Sequence, residues 1–300
     1  MVEPSVVSAS PRPALVSDTT SYLPDELIAE HDIKLVSLYV ALEGEQQAEI
    51  RLLGNLDGFY EHLRVSEEAV TTSQPSVGDF LAVYEPLLDD GGEIVSVHIS
   101  AGISGTFQTA VQAREHLISE HRGGERIHLF DSRTAAGGMG VVILAAANAI
   151  RAGASAEEAV AKAHEARSDL KVWFAVNTLE YLRRGGRIGA AGAWIGTTLK
   201  IKPILTFEDE VEPVERVRTR SRAIERLVSY AEQRHEGGAD AWIVQHIQDP
   251  DSAAALVERC RPIFGGAPLF TSEMGPVVGA HAGPGLLGIG STTKAALGLE

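Results

Sequence analysis

The sequence predicts an α/β fold in two domains: an N-terminal Rossmann-like α/β/α domain and a C-terminal α+β domain, with a ligand between them. Three observations carry that expectation. Short apolar, β-branched runs alternate with helical stretches, the mark of a parallel or mixed sheet covered by helices. The chain has 300 residues, enough for two cores. Near residue 168 the style changes from βα units to a hairpin-containing pattern, which places the domains at residues 14–168 and 169–295. A chain of this kind holds its ligand in the interdomain cleft.

Each element has its own warrant. Ala14-Leu15-Val16 is a short strand ending at the polar turn Ser17-Asp18-Thr19-Thr20, before a helix expected to start near Pro24. Residues 33–42, rich in β-branched and aromatic side chains, read as one strong strand. Ser76, with Asp79 three residues on, forms a capping-box-like pair opening a helix toward Leu88. Residues 94–99 are the next strand, and the loop 100–106 leads into a helix through about Ile118. A strand at 127–130 precedes Gly137-Gly138-Met139-Gly140, which opens an Ala-rich helix to Ile150. The helix at 155–167 carries Glu157 and Glu158 in its first turn, as the helix dipole favours.

After the change of style, residues 172–176 are a strand and 178–188 a compact segment. Residues 202–207 and 211–217 form a hairpin around Glu208-Asp209-Glu210. A long amphipathic helix covers 222–234, followed by a strand at 241–247, a helix at 252–260, a strand at 269–271 and a Gly-rich tail to Gly290.

Composition narrows the function. The formal charge is −15, from 41 acidic and 26 basic residues, which disfavours nucleic acid as a general partner. The basic residues are nevertheless clustered: Arg183, Arg184 and Arg187, then Arg216, Arg218, Arg220, Arg222 and Arg226. Such patches on an acidic body suit a specific acidic partner or a phosphate-bearing ligand, or are simply solvated flanks. Hydrophobic residues make up 44%, yet no apolar run approaches the roughly 20 residues that span a bilayer, so stable membrane insertion is not expected. Residues 1–13 lack an apolar core and read as a disordered Pro/Ser-rich leader. A single cysteine, Cys260, excludes an internal disulfide and a cysteine-rich zinc site, and a cytoplasmic location is expected.

Three polar, glycine-punctuated stretches point to one site: Thr71-Thr72-Ser73-Gln74-Pro75-Ser76, Ala101-Gly102-Ile103-Ser104-Gly105-Thr106 and His281-Ala282-Gly283-Pro284-Gly285. They offer hydroxyls, backbone amides and one imidazole, a set suited to an oxyanion. The 100–106 loop aims free N–H groups from a strand-to-helix turn, with Ser104 adding a hydroxyl or, alternatively, only capping its helix. Thr72 is held extended just before a helix start, and His281 is expected between a strand and a Gly-Pro-Gly turn. Other chemistries lack their signatures. Gly283-Pro284-Gly285-Leu286-Leu287-Gly288 matches a dinucleotide fingerprint superficially, but only twelve residues follow it, too few for the rest of that unit. Ser104 lies in G-I-S-G-T, not in a nucleophile elbow, and there is no P-loop, no H-E-x-x-H and no histidine ligand spacing.

The chain resembles the DegV family, the acyl-binding subunits of bacterial fatty-acid kinase. Six stretches carry the likeness, in family order: Thr72-Ser73-Gln74-Pro75-Ser76; Ile103-Ser104-Gly105-Thr106-Phe107-Gln108; residues 178–188 (TLEYLRRGGRI); residues 199–205 (LKIKPIL); Val217-Arg218-Thr219; and residues 281–288 (HAGPGLLG). Mild departures are Asp18-Thr19-Thr20, where many relatives have Asp-Ser-Thr, and Ala101 before Ser104. The resemblance implies that one long-chain fatty acid lies in a buried tunnel, its carboxylate bound by Thr72, Ser104 and His281 with Gly105 beside them. It implies no cofactor, no metal and no stand-alone catalysis. A kinase partner related to dihydroxyacetone kinases would phosphorylate the carboxylate for phospholipid metabolism, with Arg187 and Arg218 in its docking surface.

Physical chemistry makes that role sensible. Burying about 15 methylenes at roughly 0.8 kcal/mol each gives on the order of 12 kcal/mol before ordering costs. A buried carboxylate must be hydrogen-bonded, and the three loops answer that need without supplying an arginine. The competing expectation is a self-sufficient small-molecule transferase using Ser104 or His281.

Overall fold

The computed structural model describes residues 12–42, 44–65, 70–196 and 201–300. Up to residue 169 it contains strands β1 (Ala14–Asp18), β2 (Lys34–Val36), β3 (Tyr39–Leu42), β4 (Glu45–Ala48), β5 (Thr71–Ser73), β6 (Ile94–His98) and β7 (Ile127–Asp131). Its helices there are α1 (Asp25–Glu30), α2 (Leu56–Val65), α3 (Val77–Asp89), α4 (Thr106–Ser119), α5 (Ala136–Arg151) and α6 (Ala156–Asp169). Then follow β8 (Lys171–Ala175), α7 (Glu180–Arg184), β9 (Lys202–Phe207), β10 (Val211–Val217), α8 (Arg220–Glu236), β11 (Ala241–His246), α9 (Pro250–Phe264), β12 (Thr271–Glu273), α10 (Pro276–Ala282) and β13 (Leu287–Thr292).

The fold is the expected α/β class. A parallel sheet in the order β2-β1-β6-β7 occupies the first half. Strand alternation sends Val16 and Ile94 to one face, where Phe80, Tyr84 and Leu88 of α3 and Ala110, Ala113 and Leu117 of α4 cover them. Leu15, Val95 and Val97 point to the other face and meet α5 and α6. A buried chain laces the two central strands: His98 Nδ1 lies 3.1 Å from Asp18 Oδ2, His98 Nε2 2.7 Å from Ser96 Oγ, and Ser96 Oγ 2.8 Å from Tyr84 OH. Asp18 also accepts from the amides of Thr20 and Ile99, each at 3.0 Å, so this fully buried carboxylate is well supplied with partners.

The second half forms a mixed sheet in the order β10-β9-β8-β13-β11-β12. Trp242, Val244, Leu287 and Ile289 face α8 and α9, while Ala241 and Ile243 face α5. Helix α5 is therefore a layer shared by both sheets, with 13 of its 16 residues buried. Its Gly- and Ala-rich sequence, apolar all round, is what such a position requires. A third, antiparallel sheet, β4-β3-β5, packs with α2 and α10 beside the open part of the second sheet.

Most expected elements occur where the pattern placed them, and Ser76 and Ser155 each cap a helix in a capping box. Four differences are informative. The single strand expected at 33–42 is two strands in different sheets, because at Leu38 the amide donates to Thr19 Oγ1 (3.3 Å) and the carbonyl accepts from Glu49 N–H (2.8 Å), diverting the chain. The Gly-rich tail contains β13, a central strand: a Cβ at Gly290 would lie 3.0 Å from Ile243 and one at Gly288 3.2 Å from Phe174, so glycine is what lets this strand fit. The strand expected at 269–271 is β12, two residues later. His281 lies in the last turn of helix α10, not in a linker between strand and turn. The expected boundary near 168 falls at the end of α6. Most of the expected leader and the Leu199-Lys200 portion of one motif lie outside the described residues.

Because α5 has no solvent face to relax toward, truncating it leaves a cavity. Ile143→Ala is expected to cost about 2–5 kcal/mol, read as a lowered urea midpoint with an unchanged slope.

Candidate functional site

Thr72 is placed by β5, which pairs with β3 so that Thr72 sits opposite Val40. The following turn is fixed by the Ser76 cap and by Tyr39 OH, which donates to Asp79 Oδ1 at 2.9 Å. The loop after β6 is folded on Ser100: its carbonyl accepts from Ile103 (3.2 Å) and Ser104 (3.1 Å), and its hydroxyl donates to the Asp209 carbonyl at 2.8 Å. Two glycines permit close contacts. A Cβ at Gly102 would stand 2.6 Å from the Asp209 carbonyl oxygen, and one at Gly105 2.6 Å from the Gln74 side-chain nitrogen. Ser104 Oγ sits 2.9 Å from Thr106 Oγ1 and accepts from Thr106 N–H at 3.3 Å. The hydroxyl therefore supports the start of α4 while lining the cavity described below.

His281 Nε2 is 2.7 Å from Thr72 Oγ1, a contact between residues 209 positions apart. Burial, reinforced by the Arg187 guanidinium, pushes the imidazole down to about 4. The ring is neutral at physiological pH. Its Nδ1 is buried without a hydrogen-bond partner and packs on Gly185, where any Cβ would fall well inside contact distance. A proton on Nδ1 would be a stranded donor, so we assign it to Nε2, donating to Thr72. The Thr72 hydroxyl hydrogen is then free to donate to an acceptor in the cavity.

That cavity, open to solvent at its mouth, spans about 1050 Å³ of non-atom space, the solvent there included. Thr72, Ser73, Gln74, Ser104, Thr134, Arg187, Gln245 and His281 contribute its polar lining. The remaining wall is largely apolar, with Leu38, Phe174, Phe207, Ile243 and Met274 among its residues. Leu286, just before β13, and Gly288, Ile289 and Gly290 within it also line the cavity, a stretch of about 13 Å at strand rise. A second cavity of about 830 Å³ shares Thr72, Arg187 and His281 and adds Thr71, Tyr181, Arg184 and Gly185. The Thr72–His281 pair thus stands in the lining of both.

The structure brings Thr72 and His281 into direct contact, places Ser104 in the same lining and stacks Gly105 on Gln74. Arg218 lies elsewhere, exposed between β10 and α8. The three loops supply no arginine of their own, but Arg187 arrives from the segment after α7 and lines the cavity, donating to the Ile103 carbonyl at 3.0 Å and the Gly185 carbonyl at 2.6 Å. Sequence reasoning missed Gln74, read only as a turn residue, and Gly185, whose significance is the ring packed on it. Among the described residues no cluster of three or more His, Cys, Asp or Glu could hold a metal ion, and no helix is long and apolar enough to cross a membrane.

Fold and site together define a layered α/β protein with a largely apolar, open-mouthed cavity and a hydroxyl- and imidazole-lined polar patch. The sequence profile described as "uncharacterised protein, DegV family" matches residues 12–294. The chain belongs to the DegV family. It is 40% identical over 280 residues to a DegV domain-containing protein of Streptomyces coelicolor, covering 92% of this chain and 96% of that one. Among solved structures it is similar to a DegV family protein of Thermus thermophilus described for its fatty-acid binding (34% identity, TM-score 0.83, 94% and 100% of the two chains). It is also similar to DegV of Bacillus subtilis, described as a fatty-acid-binding protein (32% identity, TM-score 0.82, 95% and 100%).

The lowered imidazole has a stability consequence. Between pH 6.5 and about 4 the unfolded chain takes up a proton that native His281 refuses, so stability falls as pH falls through this window. His281→Asn is expected to lose that slope, a difference on the order of 3 kcal/mol by pH 4, measured from urea unfolding at pH 4 to 7.

Proposed function

We propose that this protein binds a long-chain fatty acid in the largely apolar cavity and presents its carboxylate to a kinase partner, which converts it to an acyl phosphate for phospholipid metabolism. The observation that carries this reading is the Thr72–His281 pair in the lining of a largely apolar cavity. A neutral imidazole frees one hydroxyl proton for the carboxylate, Ser104 offers a second, and the start of α4 lies at Gly105. The acyl chain would lie against Phe174, Phe207 and Ile243. The fatty-acid binding described for similar DegV proteins supports the assignment.

In this reading the protein works in the cytoplasm without a cofactor and has no catalysis of its own. A stand-alone transferase would need a serine activated by a base. Ser104 Oγ instead pairs with Thr106, and His281 with Thr72. Arg187, anchored on two carbonyls, borders the head group and is proposed to meet the partner there, while exposed Arg218 contributes outside the cavity.

Extraction of the purified protein should release about one long-chain acid per chain, and an empty protein that turns over a soluble substrate would refute the reading. Thr72→Val and Ser104→Ala are each expected to weaken binding about 10-fold, the worth of one hydrogen bond to a carboxylate. Gly185→Ala, by displacing the His281 ring, should do at least as much. Arg218→Glu is expected to leave lipid affinity unchanged and to slow acyl-phosphate formation with the partner by about tenfold or more; an unaltered rate removes Arg218 from the docking surface.

A further inference from the structure

His281 reaches Thr72 only because α10 is held in place, and that helix has seven residues, too few to be stable by itself. Its start is gripped by side chains from distant parts of the chain. Glu49, in a tight turn after β4 and fully buried, accepts from Val277 N–H at 2.8 Å and from Tyr22 OH at 2.7 Å on one oxygen, and from the Thr19 hydroxyl on the other. Tyr22 OH in turn accepts from Val278 N–H at 3.0 Å. Tyr60 OH donates to the Met274 and Gly275 carbonyls, at 2.6 and 3.1 Å, just ahead of the helix. The fit has no slack: a Cβ at Gly275 would come 2.6 Å from both Leu53 and Tyr22, and Gly279 packs directly on the Tyr60 hydroxyl. His281 lies four residues beyond Val277, about 6 Å along the axis.

We infer that Glu49 is a positioning residue: its carboxylate fixes the start of α10 and thereby sets the Thr72–His281 contact. Its consequence for ligand affinity rests on the fatty-acid reading above. Ionised, Glu49 is an acceptor for all three donors. Protonated, it must itself donate; the Thr19 and Tyr22 hydroxyls can rotate to adapt, but Val277 N–H cannot, and its bond loses charge assistance.

This exchange falls near neutrality. Burial raises the carboxyl to about 7, with Asp18 adding to the effect and the bonds from Thr19, Val277 and Tyr22 opposing it. The titratable groups facing Glu49 are Asp18 at the end of β1, Tyr22 and, on α2, Tyr60; burial pushes both phenols well up. Because the folded state holds this proton more tightly than the unfolded chain, Glu49 makes stability fall as pH rises from about 4.5 to 7. The Val277 bond itself runs the other way: it favours the ionised carboxylate, so while Glu49 stays buried its grip on the start of α10 tightens as the proton leaves. A purely structural glutamate would move the first quantity and not the second.

The test is histidine ¹³C NMR of the ligand-free protein, with the His281 signal assigned against His281→Asn, combined with hexadecanoate affinity from pH 6 to 8. In the wild type the His281 Cε1 shift should follow a midpoint near 7 although the ring itself stays neutral, and affinity should rise about 5-fold or more across the range. Glu49→Gln keeps the shape and one acceptor oxygen but cannot ionise, and both profiles should become flat. A flat wild-type His281 profile, or one that persists unchanged in Glu49→Gln, overturns the proposal. If Glu49→Gln does not fold, Tyr22→Phe takes its place: it removes one donor to the carboxylate, so the midpoint should rise, and an unmoved midpoint counts against the proposal. Should the wild type bind no hexadecanoate at any pH, the fatty-acid reading fails while the NMR profile still decides the role of Glu49.

Discussion

One hydrogen bond organises the polar part of this molecule. The 2.7 Å contact between His281 Nε2 and Thr72 Oγ1 ties the short helix after the second sheet's edge strand to a strand of the small antiparallel sheet. Both partners must be fixed independently before the bond can form. Strand β5 is fixed by its pairing with β3 and by the Ser76 cap; α10 is fixed by Glu49, Tyr22 and Tyr60. The bond is an outcome of three sheets being correctly placed, and the two larger ones share α5, whose apolar surface leaves it no other environment.

The electrostatics follow from burial more than from charge. His281 stays neutral because water is excluded and because Arg187 stands nearby. Arg187 is itself turned toward the Ile103 and Gly185 carbonyls, so the polar patch carries directional donors with a single guanidinium already partly engaged. Such an arrangement can hold a carboxylate without locking it into a bidentate ion pair. The second cavity, with Arg184, meets the same histidine and threonine. Elsewhere the Asp18–His98–Ser96 chain has the residue types of a hydrolytic triad, but it is wholly buried and ends on Tyr84, so it is a cross-link between β1 and β6.

Much of the fold was legible because it is local. The capping box at Ser76, the acidic first turn after Ser155, the apolar alternation at 94–98 and the hairpin around residue 209 depend on neighbours within a few positions. Illegible elements depend on distant ones. Strand β13 is hidden by Gly288 and Gly290, which have no β propensity and are there because Phe174 and Ile243 leave no room for a Cβ. The break at Leu38 is set by Thr19 and Glu49, and Glu49 itself is one more acidic residue in an acidic chain until its burial is known.

The amino-acid sequence by itself determined the α/β class, the order of most elements and the residue types of a polar site: two hydroxyls, an imidazole and glycine-opened backbone. Only the tertiary structure decided that Thr72 and His281 touch, that Arg187 joins them, that His281 rides on a helix and that Glu49 anchors it. The physical reason is range. Propensity, capping and periodicity act over a few residues, whereas burial, proton affinity and the close approach of a ring to Gly185 arise between segments that only the packed sheets bring together.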